Sequence, residues 1–359
     1  MVGVTTARDQ ARRDLVGLVH RRRALPDFTR SATRALRRAV PFDGTCLLTL
    51  DPATLLPTGE VVENALPSQA MIRLTEIELG ERDYNKFTAL AHGPRSAASL
   101  SHVTAGDLDR SLRQRELRRP SGFADELRTV LSDATGTWGA LTLLRERPSP
   151  YFTAAEVRFV ASVAGLLAEG LRRSALLDAT TGSTDEGDAG LLVLGADDAI
   201  QTANRAADRW IDELGGSGAA LPLVVHAVAG QARATLAGDE RLARARVRAS
   251  SGRWVLVRAS LLGDAPLSPV AVMIEAARAP DLAPMIAAAY GLRERERRVT
   301  ELVAQGLSTH DIADLLHVST YTVQDHLKAI FEKTGTRSRG DLVARLYFVH
   351  YAPRLTSDV

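Results

Sequence analysis

Apolar residues in the first forty positions recur three and four apart. Leu15, Leu18, Val19 and Leu25 continue into Ala32, Leu36 and Val40, and Arg fills many of the positions between. That stripe predicts an amphipathic helix over residues 8–40. The period then changes. Thr45–Leu50 is a β-rich run between Pro41-Phe42-Asp43-Gly44 and Asp51-Pro52. Glu126–Leu131 and Trp138–Leu144 predict two strands around the turn signal Asp133-Ala134-Thr135-Gly136. Between these, Leu100–Arg128 is charged and reads mostly as helix or loop. After Pro148-Ser149-Pro150, Thr153 and Glu156 have the spacing of a capping box. Val157, Val160, Val163, Ala164 and Leu167 follow as a helical stripe expected to reach about Leu177.

Thr180–Asp188 is rich in Gly, Asp, Ser and Thr and predicts a linker. Gly190–Gly195 then reads as a strand, Asp197-Asp198 as a turn, and Asn204-Arg205-Ala206-Ala207 as a helix start leading through Trp210 to Leu214. Gly215-Gly216-Ser217-Gly218 breaks that helix. Alternating runs Ala243–Ala249 and Trp254–Leu261 flank Ser250-Ser251-Gly252, a hairpin signal. The strand Val270–Ile274 closes the block, and Ala276–Pro284 predicts a second linker.

From Met285 onward the chain reads as helix. Val299, Leu302 and Val303 share one face, and Gly306 ends that helix. Ser308 suits an N-cap for a second, with Ile312, Leu315 and Leu316 inward. His317-Val318 forms a short turn, and Ser319 caps a third helix carrying Val323, Leu327, Ile330 and Phe331. Gly335 suits a left-handed cap. A fourth helix carries Leu342, Val343, Leu346 and Tyr347. Two short helices joined by a turn of about three residues fit a helix-turn-helix, and on spacing alone they fit a plain helical bundle as well.

The residues themselves narrow the choice. The stretch GLRERERRVTELVAQGLSTHDIADLLHVSTYTVQDHLKAIFEKTGTRSRGDLVARL resembles the LuxR/FixJ-type helix-turn-helix domain along its whole length. The matching positions include Gly306-Leu307-Ser308, Ile312-Ala313, Leu316, Val318-Ser319, Thr322-Val323, His326, Ile330, Lys333, Gly335 and Arg337-Ser338-Arg339. The resemblance implies a core of Ile312, Ala313, Leu316, Val318, Val323, Leu327 and Ile330. It implies a recognition helix over 320–334 in the DNA major groove, with Gln324, Asp325 and Lys328 toward base edges. Ser319, Thr320, Tyr321, Thr322, His326, Lys333 and Arg337 complete the expected DNA-contacting set, and Thr320, Tyr321, Thr322 and Lys333 would sit near phosphates. Leu342, Val343, Leu346 and Tyr347 are the expected dimer helix.

Two features depart from the family pattern. Asp325 brings a negative charge toward DNA, and Arg293 stands where the family usually has a capping Thr. Residues 285–350 hold nine Lys or Arg and eight Asp or Glu, a weak electrostatic footprint that predicts modest non-specific affinity and a need for a dimer.

Two weaker resemblances lie upstream. Residues 25–177 are similar to a GAF domain, through FDGTCLLTLDP and the run from Trp138-Gly139 to Phe152-Thr153 and Glu156. Residues 190–275 are similar to a PAS domain, through GLLVLGADDAIQTANRAADRWI and the paired strands ending in VAVMIE. The expected architecture is therefore multidomain α+β. An N-terminal helix (1–24), a GAF-like domain (25–177) and a linker (178–189) precede a PAS-like domain (190–275) and a second linker (276–284). An all-α four-helix LuxR-type domain (285–350) and a tail (351–359) follow.

Composition adds exclusions. A chain of 359 residues with 45 % apolar and 25 % charged residues and a net charge of +2 predicts two or three ordinary globular domains. The single cysteine, Cys46, rules out an intrachain disulfide and a cysteine metal cluster, and fits a reducing cytoplasm. The N-terminal arginines lack a following apolar segment, so no signal peptide is expected. The run Leu221–Gly230 is too short for a membrane span. Lys86 is the one lysine before the C-terminal stretch, which argues against a phosphoacceptor input, and no Gly-x4-Gly-Lys-Ser/Thr occurs.

His92, His102 and His226 lack metal spacing, and Trp138, Trp210 and Trp254 read as core. The Arg-rich stretch 8–38 reads as a solvated face or dimer helix. No catalytic residue, metal site or cofactor is expected. The expected partners are double-stranded DNA, a second copy of the chain, RNA polymerase if the protein activates, and a small-molecule effector of unspecified kind. The competing class is a signalling or interaction protein whose helix-turn-helix no longer binds DNA.

Overall fold

The computed structural model describes residues 2–21, 25–67, 70–177, 188–216, 220–265 and 267–351. Two helices stand where one was expected over 8–40: α1 (Val2–His20) and α2 (Leu25–Ala39). Pro26 sits in the first turn of α2, where its missing N–H costs nothing. Phe28, Ala32, Ala35, Leu36 and Ala39 form the buried stripe of α2, and Ala11, Leu15 and Val19 of α1 join the same core.

Strand β1 (Gly44–Leu50) pairs with β2 (Pro57–Glu63), followed by α3 (Met71–Leu79), α4 (Phe87–His92), β3 (Ala97–Ser99), a short α5 (Leu100–Val103), β4 (Phe123–Asp133) and β5 (Gly136–Glu146). The five strands form one antiparallel sheet ordered β2-β1-β5-β4-β3. The edge strand β2 is half-exposed, and its Pro-Thr-Gly-Glu sequence gives little strand signal. β4 and β5 are buried along nearly their whole length. A Cβ at Gly139 would lie 2.4 Å from Leu171 Cδ1 and 2.6 Å from the Leu48 carbonyl, so only glycine fits there.

Helix α6 (Ala154–Leu177) covers the sheet. Thr153 and Glu156 make the reciprocal cap, with Thr153 N–H donating to Glu156 at 2.8 Å and Glu156 N–H donating to Thr153 Oγ1 at 3.3 Å. Arg145 donates to the same carboxylate at 2.7 Å.

The second unit repeats the plan with different helices. It comprises β6 (Gly190–Leu194), β7 (Ile200–Ala203), α7 (Arg205–Glu213), α8 (Leu223–Ala234), β8 (Arg244–Arg248), β9 (Trp254–Leu261) and β10 (Val270–Ala276). Its sheet order, β7-β6-β10-β9-β8, is the first sheet's order again. Asn204 caps α7 by accepting from Ala207 N–H at 2.9 Å. The apolar run at 221–230 forms most of α8, which buries Val224, Val225, Ala227, Val228 and Ala229 and so is apolar around much of its circumference. Most of the stretch 178–189 lies outside the described residues, as do 217–219 and 352–359.

Three contacts weld the two units. Asp51 accepts from the Arg246 backbone N–H at 2.8 Å and from its guanidinium at 3.0 Å, with both side chains buried. Leu56, just after β1, packs into the core of the second unit. Helices α3 and α8 cross at Gly230, where a Cβ would lie 3.0 Å from Leu79 Cδ1 and from Thr75 Cγ2.

Residues 276–284, expected as a linker, hold the end of β10 and the first turns of α9 (Ala279–Ala289). Leu282, Met285, Ile286, Ala288 and Ala289 enter the core of the first unit. The apolar content of 276–284 is small, so its helical character depends on Met285–Ala289 beyond it. The C-terminal helices are α10 (Glu294–Ala304), α11 (Thr309–Leu316), α12 (Thr320–Thr334) and α13 (Arg339–Tyr351). The architecture is a mixed α+β multidomain chain of two antiparallel five-stranded sheets and a helical C-terminal domain.

Breaking the Asp51–Arg246 pair strands a buried guanidinium. Asp51→Ala is expected to destabilise the front half by about 3–5 kcal/mol, measured by denaturant titration. A loss below about 1 kcal/mol would show that the pair does not hold the units together.

Candidate nucleic-acid interface

The C-terminal domain is organised by its caps. Ser308 Oγ accepts from Asp311 N–H at 3.2 Å, and Asp311 returns the bond to Ser308 N–H at 3.0 Å. His317 ends α11 in the left-handed conformation, with φ of 53°, and so turns the chain sharply. Ser319 then caps α12 by accepting from Thr322 N–H at 3.0 Å, and Gly335 ends α12 at φ of 67°. At the start of α10 only half a capping box is present. Glu296 accepts from Arg293 N–H at 2.7 Å, and an Arg side chain has no acceptor to return.

Ile312, Ala313, Val323, Leu327 and Ile330 are buried in one core with Leu292, Val299, Leu302, Val303 and Leu342, and Leu316, Val318 and Phe331 pack partly against it. Leu315 does not turn inward as expected. It is 52 % exposed, because Ile312 and Ala313 take the buried positions on α11.

The other face of α12 is open. Gln324, Asp325 and Lys328 are exposed, Tyr321 is 71 % exposed, and Thr322 and His326 are half-buried. None of Gln324, Asp325 or Lys328 has a side-chain hydrogen bond or ion pair among the described residues. Ser319 and Thr320 are exposed at the helix N-terminus, where free amides and the dipole favour an anion.

Two expected DNA contacts also bond within the domain. Lys333 Nζ lies 2.6 Å from Glu296 Oε2, joining α12 to α10. In the chain alone its ammonium is thus engaged with Glu296. Arg337 uses its backbone N–H on Asp341 at 2.8 Å and leaves its side chain exposed.

Of the expected dimer helix, Leu342 is fully buried, and Val343 and Leu346 are half-buried against the domain's own core. Leu346 also packs against the cluster that α9 shares with the first unit. The side chain of Tyr347 lies outside the described residues.

Arg339 plays a part that the sequence does not announce. It donates to the Leu307 carbonyl at 2.6 Å and to Thr309 Oγ1 at 2.7 Å, tying the start of α13 to the turn before α11. Neither it nor the Glu296–Lys333 pair has a sequence signal beyond the family pattern, because the partners lie 30 or more positions apart.

Residues 291–346 match the family described as bacterial regulatory proteins, luxR family. Over 55 residues the chain is 38 % identical to spore germination protein GerE of Bacillus subtilis, which covers 15 % of this chain and 74 % of that protein. Over 52 residues it is 50 % identical to a protein of Mycobacterium bovis named as a helix-turn-helix-type transcriptional regulator, but that stretch is 14 % of this chain and only 6 % of the relative. A crystal structure of Escherichia coli SdiA covers 96 % of this chain and 98 % of its own at 11 % identity, with a TM-score of 0.31, too low to transfer anything. Through its C-terminal domain, the chain belongs to the luxR family of bacterial regulatory proteins.

Burial opposes ionisation of Glu296, yet the hydrogen bonds from Lys333 and the Arg293 backbone outweigh it and hold its pKa below the ordinary 4.5. A carboxyl with a lowered folded pKa stabilises above its unfolded pKa, and that stability is lost as pH falls through the folded value. Hydrogen exchange of α10 and α12 in the intact chain should therefore accelerate as pH drops below the usual carboxylate range, after correction for intrinsic exchange. Glu296→Gln should weaken that dependence; an unchanged profile would remove Glu296 from the account.

Proposed function

We propose that the chain is a DNA-binding transcriptional regulator that reads a major-groove site as a dimer, controlled by its two sheet-containing units. The observation that carries this reading is the open face of α12. Gln324, Asp325 and Lys328 have no partner among the described residues, on a helix whose opposite face is buried and whose N-terminus is capped. Gln can pair bidentately with adenine and Asp can accept from cytosine N4, each worth roughly 1–3 kcal/mol of discrimination. Two copies would set their recognition helices about one helical turn apart.

In this proposal residues 25–177 and 190–275 are GAF-like and PAS-like sensors, and α13 pairs the two copies. The inward packing of Val343 and Leu346 gives the control a physical form. Pairing through α13 competes with the contact of Leu346 on the cluster that α9 shares with the first unit, so a signal acts by shifting the population between the two arrangements.

Gel shifts on DNA from the protein's own upstream region, at several salt concentrations, test the reading. Lys328→Ala should weaken binding, and Asp325→Ala should raise general affinity while blurring site choice. Lys333→Ala should leave the salt slope unchanged, since Lys333 neutralises Glu296 and not a phosphate. If no fragment outcompetes random DNA and Lys328→Ala changes nothing, the chain is a signalling or interaction protein instead.

A further inference from the structure

A cavity of about 180 Å³ lies between the first sheet, α3 and α8. Cys46 and Leu48 of β1, with Leu74 and Leu79 of α3, supply apolar wall, and Leu223 and Ala227 of α8 close it from the second unit. The site is therefore complete only when the two units are docked.

Three guanidinium groups reach its lining: Arg118, Arg128 and Arg241. Arg241 is held by Asp239 at 2.6 Å. Arg128 is held by Glu78 at 2.9 Å, donates to the Asn85 carbonyl at 3.0 Å, and lies over the Phe87 ring. Arg128 Nε and Arg241 Nη1 are without a partner among the described residues, but each of those groups is anchored by its other nitrogens. Arg118, by contrast, makes no side-chain hydrogen bond among the described residues. It is 4 % exposed, and its Nε lies 3.3 Å from Glu126 without making a hydrogen bond. Glu126 is already taken by three bonds from Arg113, at 3.0, 3.3 and 2.5 Å. Among the described residues the terminal amino groups of Arg118 have no acceptor.

The acidic groups of the lining do not offer the opposite site. Glu78 accepts from Arg128 and from the Phe87 backbone N–H at 2.7 Å, so its charge is spent. Glu60 lies on the half-exposed edge strand β2, with its residue open to solvent as a whole but its carboxyl partly shielded by the cavity wall, which raises its pKa. A buried guanidinium short of acceptors is costly, and a carboxylate meets its fork with charge-assisted hydrogen bonds.

We propose that this cavity binds a small carboxylic acid with an apolar body, its carboxylate on Arg118 and its body against β1, α3 and α8. Its occupant touches both units at once and favours their docked arrangement. The role as an input rests on reading the front half as the sensing part of the regulator.

Isothermal titration of the full chain with octanoate, octanol and octylamine tests the site. Octanoate should bind tightest, and it should slow modification of Cys46, the chain's one thiol, by methyl methanethiosulfonate. Arg118→Gln should weaken octanoate binding about tenfold or more, as expected for loss of a charged hydrogen bond, and leave octanol binding unchanged. Leu223→Trp, which fills the cavity from the second unit away from the buried ion pairs, should abolish both binding and protection.

Equal binding of the three probes, wild-type octanoate affinity in Arg118→Gln, or octanoate binding that leaves Cys46 unprotected would each overturn the assignment. If Arg118→Gln does not fold, the wild-type probe series and Leu223→Trp still decide. A chain that footprints a specific DNA site yet binds none of the three probes loses this cavity site and keeps the regulator reading.

Discussion

Helix α9 buries Leu282 and every residue from Met285 to Ala289, and the relation of the three parts of the chain follows from that. Leu282, Met285 and Ile286 are buried in the core of the first unit, while Ala287 lies in the core of the C-terminal domain. Arg172 fixes its end, with Nε 3.0 Å from Asp133 and a terminal nitrogen donating to the Ala289 carbonyl. Stripping Leu282, Met285 and Ile286 from the first unit would expose three large side chains, at roughly 1.5–3 kcal/mol each. A ligand that freed the C-terminal domain by undocking α9 would need a preference for the freed state of comparable size. Sliding Leu346 alone off that core, with α9 left in place, costs far less.

The C-terminal helices were legible because each boundary has a local chemical cause. Ser308, Ser319 and Gly335 cap where their side chains or backbone freedom allow, and the stripe Val323, Leu327, Ile330 buries as its spacing requires. The same holds for Thr153 with Glu156, and for Asn204. The error at Leu315 arose because a two-turn helix offers several apolar positions, and its neighbours alone decide which of them face inward.

The front half was less legible where long-range partners replace local pattern. Residues 100–128 read as charged helix or loop, but Arg113, Arg118, Glu126 and Arg128 are buried. Burial alone would raise the pKa of Glu126, yet Arg113, Arg128 and Arg118 together lower it to about 2. Charge in a sequence normally signals solvent, and only the folded arrangement turns it into core. Strand β2 escaped for a related reason, since an edge strand with few apolar residues takes its structure from the pairing with β1. Helix α8 escaped for the opposite one: a helix buried on several sides loses the periodicity that would identify it.

The seam between the two sheet units has a consequence for which substitutions the chain can absorb. With Asp51 on Arg246, Leu56 in the neighbouring core and α3 crossing α8 at Gly230, the relative placement of the units is set by a handful of side chains. Polar changes on the open faces of either sheet unit leave that placement alone, whereas a methyl at Gly230 would press on Leu79 and Thr75 at once and pry at the line where the halves meet.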